Sequence, residues 1–183
     1  MKKILFNGFY GFKNTGDDSF LEVVAWGAKK YWNIQEVFFY TKSLPILKNK
    51  SSNIRRYNSA ILDRVMFFFR IFRFDTYVLA GGSIIYDYKF LSYKWISVLV
   101  KKINRKLKLG AIGVSVGPFK SKEAEQKAIF YLKNLNFLSV RDERSFDYVS
   151  KLDLPYNPIK SFDLAALLPK VYNTQSSSIK QNK

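Results

Sequence analysis

The chain has 183 residues, 48% hydrophobic and 17% aromatic, which suits one globular domain with a sizeable core and argues against disorder. It has no cysteine and no histidine, which excludes disulfides and thiolate metal sites and removes the commonest acid–base group and zinc ligand. The balance of 31 basic against 14 acidic residues, a net charge of +17, attracts phosphates, nucleic acid or anionic lipid without choosing among them, and a Lys-rich background explains it equally well.

Met1-Lys2-Lys3 before Ile4-Leu5-Phe6 resembles a signal peptide, but Asn7, Gly8 and Lys13 cut the apolar run short. No stretch approaches the ~18 apolar residues of a bilayer span. The expectation is a cytoplasmic protein, with peripheral contact at the inner face of the membrane left open. Residues 4–9 read as a first strand buried on both faces. A glycine-rich turn follows, then a helix over 18–32. Thr15 or Asp17 would accept from its first amides, Ser19 and Glu22 have capping-box spacing, and Phe20, Val23, Val24 and Gly27 would face the sheet.

Residues 35–40 read as a second strand, 54–57 as a weak third and 61–72 as a helix whose apolar stripe is Val65, Phe68, Phe69 and Phe72. Arg64, Arg70 and Arg73 alternate with Met66, Phe67 and Phe74 elsewhere on that segment. Such a face suits an anionic membrane, although an ordinary packed helix is the plainer reading. Strand 75–80 runs into Gly81-Gly82-Ser83. A helix over 90–106 ends in a basic run that complements the helix dipole without any ligand. Strand 109–116 stops at Gly117-Pro118. Helix 122–134, strand 137–140, helix 142–152 and a short strand over 159–162 complete the alternation. Residues 1–169 form the domain, and 170–183 read as a polar linker or disordered tail.

Alternating strands and helices predict an α/β class, Rossmann-like, with an open, mostly parallel sheet and helices on both faces. A strand order of 3-2-1-4-5-6 would set the strand at Ile4 beside the strand at Thr76. The loops over 8–18 and 81–87 would then flank one crevice.

The spacing Gly8-x2-Gly11-x4-Gly16 matches neither a dinucleotide fingerprint nor a Walker loop. Asp17 and Asp18 stand where a phosphate would need free amides, so hydroxyl partners or simple helix capping fit better. Gly81, Gly82 and Ser83 after a buried strand are read equally as an anion cradle and as a tight strand-to-helix turn. Ser115 and Gly117 end another strand at the same edge. Arg141 can pair with a carboxylate, Asp142 caps the next helix, and Asp163 caps a turn or reaches the crevice.

In this order the motifs resemble the polysaccharide pyruvyltransferase family. The matching pieces are Gly8-Phe9-Tyr10-Gly11 with Asn14-Thr15-Gly16-Asp17-Asp18, Leu79-Ala80-Gly81-Gly82-Ser83, the run from Gly113 to Pro118, Ser139-Val140-Arg141-Asp142-Glu143, and Asp163-Leu164-Ala165 with Leu167-Leu168-Pro169. Ala80 departs from the family's triple glycine, and Ser115-Val116 interrupt a glycine pattern.

The resemblance covers the amino-terminal half of a two-domain, glycosyltransferase-like architecture. It implies transfer of a pyruvyl group from phosphoenolpyruvate to a sugar of an exopolysaccharide or cell-wall glycan, with a second-half protein or domain as partner and no activity in the isolated chain. Asn14, Gly16, Asp17, Asp18, Gly81, Gly82, Ser83, Ser115 and Gly117 are then the substrate-binding candidates, and Asp17, Asp18 and Arg141 the catalytic ones. No metal and no cofactor are expected; phosphoenolpyruvate would be a substrate. The other reading is a non-catalytic basic module on anionic glycan lipid or membrane. Nucleic acid is the least supported partner, since only charge favours it.

Overall fold

A computed structural model describes residues 2–8, 10 and 15–173. Strand β1 (Lys3–Asn7) leads through the glycine-rich loop to helix α1 (Thr15–Trp32). Then come β2 (Glu36–Thr41), β3 (Ser52–Arg55), α2 (Ala60–Ile71), β4 (Thr76–Ala80), α3 (Tyr93–Ile103), β5 (Lys108–Val114), α4 (Lys122–Lys133), β6 (Phe137–Val140), α5 (Glu143–Ser150) and β7 (Ile159–Lys160). A 3-10 turn (Leu164–Leu167) and α6 (Leu168–Asn173) close the described chain.

The strands form a seven-stranded sheet in the order β3-β2-β1-β4-β5-β6-β7, parallel at every pairing. This is the expected doubly wound order with one strand added. The direction of winding reverses between β1 and β4, so their carboxyl ends open a crevice.

The central strands are apolar on both faces because both are covered. Ile4, Leu5 and Phe6 are wholly buried. Leu5 joins the core made with α2, α3 and α4, while Ile4 and Phe6 join the core made with α1. Each such side chain contributes about 1.5–3 kcal/mol of burial.

Helix α1 starts three residues before the expected 18, which changes what its polar side chains do. Ser19 lies past the first turn and its hydroxyl donates to the Gly16 carbonyl at 2.6 Å. Glu22 accepts from the Lys48 amide at 2.7 Å and from Asn49, tying down the loop after β2 rather than closing a capping box. Phe20 and Val24 face the sheet as expected. Val23 instead meets Trp26 and Val171, and a Cβ on Gly27 would touch nothing within 4 Å.

Helix α2 departs further from its expected stripe. Its buried residues are Asp63, Phe67 and Ile71, while Val65 and Phe69 stay exposed. Apolar residues surround most of this helix, so periodicity alone could not select the core face. The choice falls to Asp63, which accepts from the Tyr40 hydroxyl at 2.6 Å, the Tyr57 amide at 2.8 Å and the Tyr93 hydroxyl. A carboxylate satisfied by three donors can be buried, and it turns the helix with it.

Smaller differences follow local chemistry. Helix α3 begins at Tyr93 behind the N-cap Ser92 and stops at Asn104. Part of its basic end is structural, since Lys101 donates to the Asn134 carbonyl at 2.6 Å and to Asn136 at 3.0 Å. Strand β5 bulges near Gly113, whose φ of +59° and closeness to Leu164 leave no room for a side chain. The last strand is shorter than expected. Of the tail expected over 170–183, residues 170–173 are helical and Val171 is 2% exposed against α1; 174–183 lie outside the described residues.

Candidate functional site

The two glycine-rich loops meet. A Cβ on Gly8 would lie 2.8 Å from the Ala80 carbonyl oxygen, and one on Gly81 would lie 2.4 Å from the Phe20 ring. The Tyr10 hydroxyl donates to the Ala80 carbonyl, binding the β1 loop to the tip of β4. The carboxyl edge is therefore one continuous rim over β1, β4, β5 and β6. Asn14 lies outside the described residues, as do the side chains of Asp17 and Asp18. Gly16 is an exposed residue in the first turn of α1.

Gly81 and Gly82 both have positive φ, at +73° and +78°. Their turn is not the tight strand-to-helix connection that was one of the two expected forms. The Gly81 amide donates to the Ile112 carbonyl at 2.9 Å, so it is not offered to an anion. No helix follows until Tyr93. The chain instead runs on beside the end of β5, with an isolated bridge between Ile85 and Val116. The Ser115 amide donates to the Gly82 carbonyl at 3.0 Å and the Gly117 amide to the Ile85 carbonyl at 2.8 Å. Gly117 thus serves this extension.

Arg141, just past β6, gathers the rim. Its Nε donates to the Ser115 hydroxyl at 2.9 Å, one Nη to the Asp163 carboxylate at 2.6 Å and the other to the Ser83 hydroxyl at 3.2 Å. One planar guanidinium thereby joins the tips of β4 and β5 to the turn after β7. Asp163 also accepts from the Ala165 amide at 3.0 Å, so it caps and pairs at once.

Asp142 caps α5 by accepting from the Ser145 amide at 2.9 Å. Burial works against its ionisation, but the neighbouring Ser115 hydroxyl, the amide and hydroxyl of Ser145 and the charge of Arg144 favour the carboxylate and hold it below the ordinary aspartate value. Ser145 in turn accepts from the buried Val116 amide at 2.8 Å.

A second group of residues was not anticipated from the sequence. Beside the switch point lies a cavity of about 360 Å³ lined by Asn7, Gly8, Arg56, Leu79, Ile84, Tyr86, Ser92, Tyr93 and Lys94. Arg56 donates from Nε to the Tyr40 carbonyl at 3.1 Å and from an Nη to the Asn7 side-chain oxygen. Its guanidinium lies 5.3 Å from the Tyr40 ring and 4.9 Å from the Tyr93 ring. Burial first, and then the bond to Asp63, push the Tyr93 phenol up to about 12.

Lys94 donates to the Ile84 carbonyl at 2.9 Å, and to Asp87 through both its carbonyl and its carboxylate. Burial lowers its pKa, opposed by Asp87. The sequence places Asn7 inside an expected strand over 4–9 and Arg56 inside one over 54–57; in the structure Asn7 closes β1 and Arg56 follows β3, which brings both to the carboxyl edge.

An open, doubly wound α/β domain with polar groups drawn to the carboxyl edge defines a class whose ligands bind at that edge. The family model described as Polysaccharide pyruvyl transferase matches residues 14–182, and the chain belongs to that family. No curated protein matches. A solved short chain dehydrogenase family protein from Francisella tularensis subsp. tularensis SCHU S4 is similar at 12% identity and a TM-score of 0.44, over 93% of this chain and 91% of that one. The fold assignment rests on the strand order itself.

Proposed function

We propose that this chain presents the sugar acceptor in a pyruvyl transfer from phosphoenolpyruvate, in the synthesis of an exopolysaccharide or cell-wall glycan. The family match over residues 14–182 carries this reading. In the reaction an acid protonates the methylene carbon of the donor and one sugar hydroxyl adds to its C2. Phosphate then leaves and a second hydroxyl closes the cyclic ketal. Each hydroxyl gives up one proton; one proton stays on the new methyl group and the other is released or taken up by phosphate.

Asn14, Asp17 and Asp18 are proposed as hydroxyl partners at the start of α1. Arg141 is proposed as a positioning residue, because its charge is already held by Asp163. The chain has no imidazole to act as acid, so we assign the donor chemistry to a second-half protein or domain. The test is turnover of phosphoenolpyruvate with candidate glycans, with and without such a partner. Phosphate release and ketal formation only in the mixture support the reading. Turnover by the chain alone contradicts its incompleteness, and none in any combination contradicts the function.

One surface favours a peripheral position at the inner face of the membrane. Ile61, Val65 and Phe69 project from α2, at 77%, 48% and 62% exposure, and with Leu91 and Trp95 they border an apolar groove that Arg64 edges. Among the described residues no helix is long and apolar enough to cross a membrane. Exposed apolar side chains beside arginine suit an anionic bilayer surface. Sedimentation with anionic and neutral vesicles at low salt checks this: co-pelleting with anionic vesicles supports it, and no preference rejects it.

A further inference from the structure

The cavity between the ends of β1 and β4 holds a guanidinium that no carboxylate among the described residues neutralises. Among the described residues Arg56 has no carboxylate within ion-pair distance; its acceptors, the Tyr40 carbonyl and the Asn7 amide oxygen, are both neutral. A half-buried guanidinium normally has an anionic partner, since desolvation is costly without one. Two tyrosine rings and two hydrogen bonds fix Arg56 in place, so little side-chain entropy would be lost on binding.

The surroundings add to the positive potential. Ser92, Tyr93 and Lys94 line the same cavity and form the N-cap and first turn of the 11-residue helix α3, whose amino-terminal dipole end is positive. Lys94 lies at the wall. Asp87 is the nearest carboxylate to it and is shared between Lys94 at 3.4 Å and Lys89 at 3.6 Å. Asp63, behind the tyrosines, is occupied by its three donors. The remaining walls, Leu79, Ile84, Tyr86 and Tyr93, are largely apolar or aromatic. A volume of about 360 Å³ lies near the lower end of small-molecule sites and is far too small for a polymer.

We infer that this cavity binds a small oxyanion-bearing molecule, such as a monosaccharide phosphate, with the phosphate or carboxylate on Arg56 and the first turn of α3, and the body of the ligand against Tyr86 and Tyr93. The inference stands on the cavity alone and holds whether or not the chain takes part in pyruvyl transfer.

Isothermal titration of the full chain with glucose 1-phosphate, phosphoenolpyruvate, pyruvate and inorganic phosphate tests it. The first two separate a sugar phosphate from the donor, and pyruvate separates carboxylate from phosphate. At least one oxyanion binds, and free glucose does not. Arg56→Gln weakens that binding at least tenfold, and Arg56→Lys restores only part of it, because an ammonium lacks the planar fork. Should Arg56→Gln fail to fold, intermolecular NOEs from the ligand to the ring protons of Tyr86 or Tyr93 in the wild-type chain decide. No binding by any probe at millimolar concentration, binding unchanged in a folded Arg56→Gln variant, or NOEs only to other residues would each overturn the assignment.

Discussion

Two arginines stand on the same edge of the sheet, and the protein treats their charges in opposite ways. Arg141 spends its fork on a carboxylate and two hydroxyls, all from this chain. Arg56 is held just as firmly, but by neutral oxygens and tyrosine faces. A compensated guanidinium is a clamp, and its loss costs structure. An uncompensated one in a cavity is an electrostatic demand that a ligand can meet. The segment over 81–87 separates the two, with Ser83 accepting from Arg141 and Ile84 accepting from Lys94.

The largest effect is expected at Asp63, which braces the tyrosines around Arg56. Asp63→Ala leaves the Tyr93 hydroxyl and the Tyr57 amide without their acceptor, and leaves the Tyr40 hydroxyl only its longer bond to the residue-63 carbonyl at 3.1 Å. The expected loss is about 3 kcal/mol in urea unfolding, with weaker oxyanion binding although Asp63 does not line the cavity. Arg141→Leu should cost about 2 kcal/mol, a value moderated because its partner Asp163 is partly exposed. If the two arginines differ as described, this variant keeps the oxyanion affinity of the Arg56 cavity.

Tyr93→Phe sharpens the contrast. It removes one bond to Asp63 and keeps the ring beside Arg56, so about 1 kcal/mol of stability is lost and oxyanion binding is weakened less than by Arg56→Gln.

The rim also predicts a pH response. The folded-state pKa of Asp142 is depressed, so its contribution is present above the unfolded value of about 3.9 and is lost as pH falls through the folded value. Asp142→Asn keeps an N-cap acceptor but removes the titration, and acid unfolding below about pH 4 becomes less steep. The smallest effect on stability is expected at Phe69→Glu, within about 0.5 kcal/mol, since the ring is exposed. The same change abolishes vesicle binding if α2 faces a membrane.

The doubly wound order was legible because continuous apolar runs such as 4–6 and 76–80 alternate with longer periodic segments. The pairing role of Arg141 and the capping role of Asp142 were also legible, since each needs only the residue type at a strand's end. The face of α2 was not, because the deciding group is a buried carboxylate among aromatics rather than an apolar period. The Arg56 cavity was hidden for a different reason. Its residues come from the ends of β1, β3 and β4 and the start of α3, and no short motif joins them. The glycines at 81 and 82 read equally as an anion cradle and as a tight turn; positive φ at both, with the Phe20 ring and the Ile112 carbonyl against Gly81, gives them a structural reason that residue type alone could not specify.

The contrast between the two arginines is tested most directly by following the side-chain Nε–H resonances of Arg56 and Arg141 while inorganic phosphate, then glucose 1-phosphate, is added to the full chain. The account predicts a saturable shift at Arg56 and none at Arg141. A shift at Arg141 with Arg56 silent, or no saturable shift at either, would contradict it.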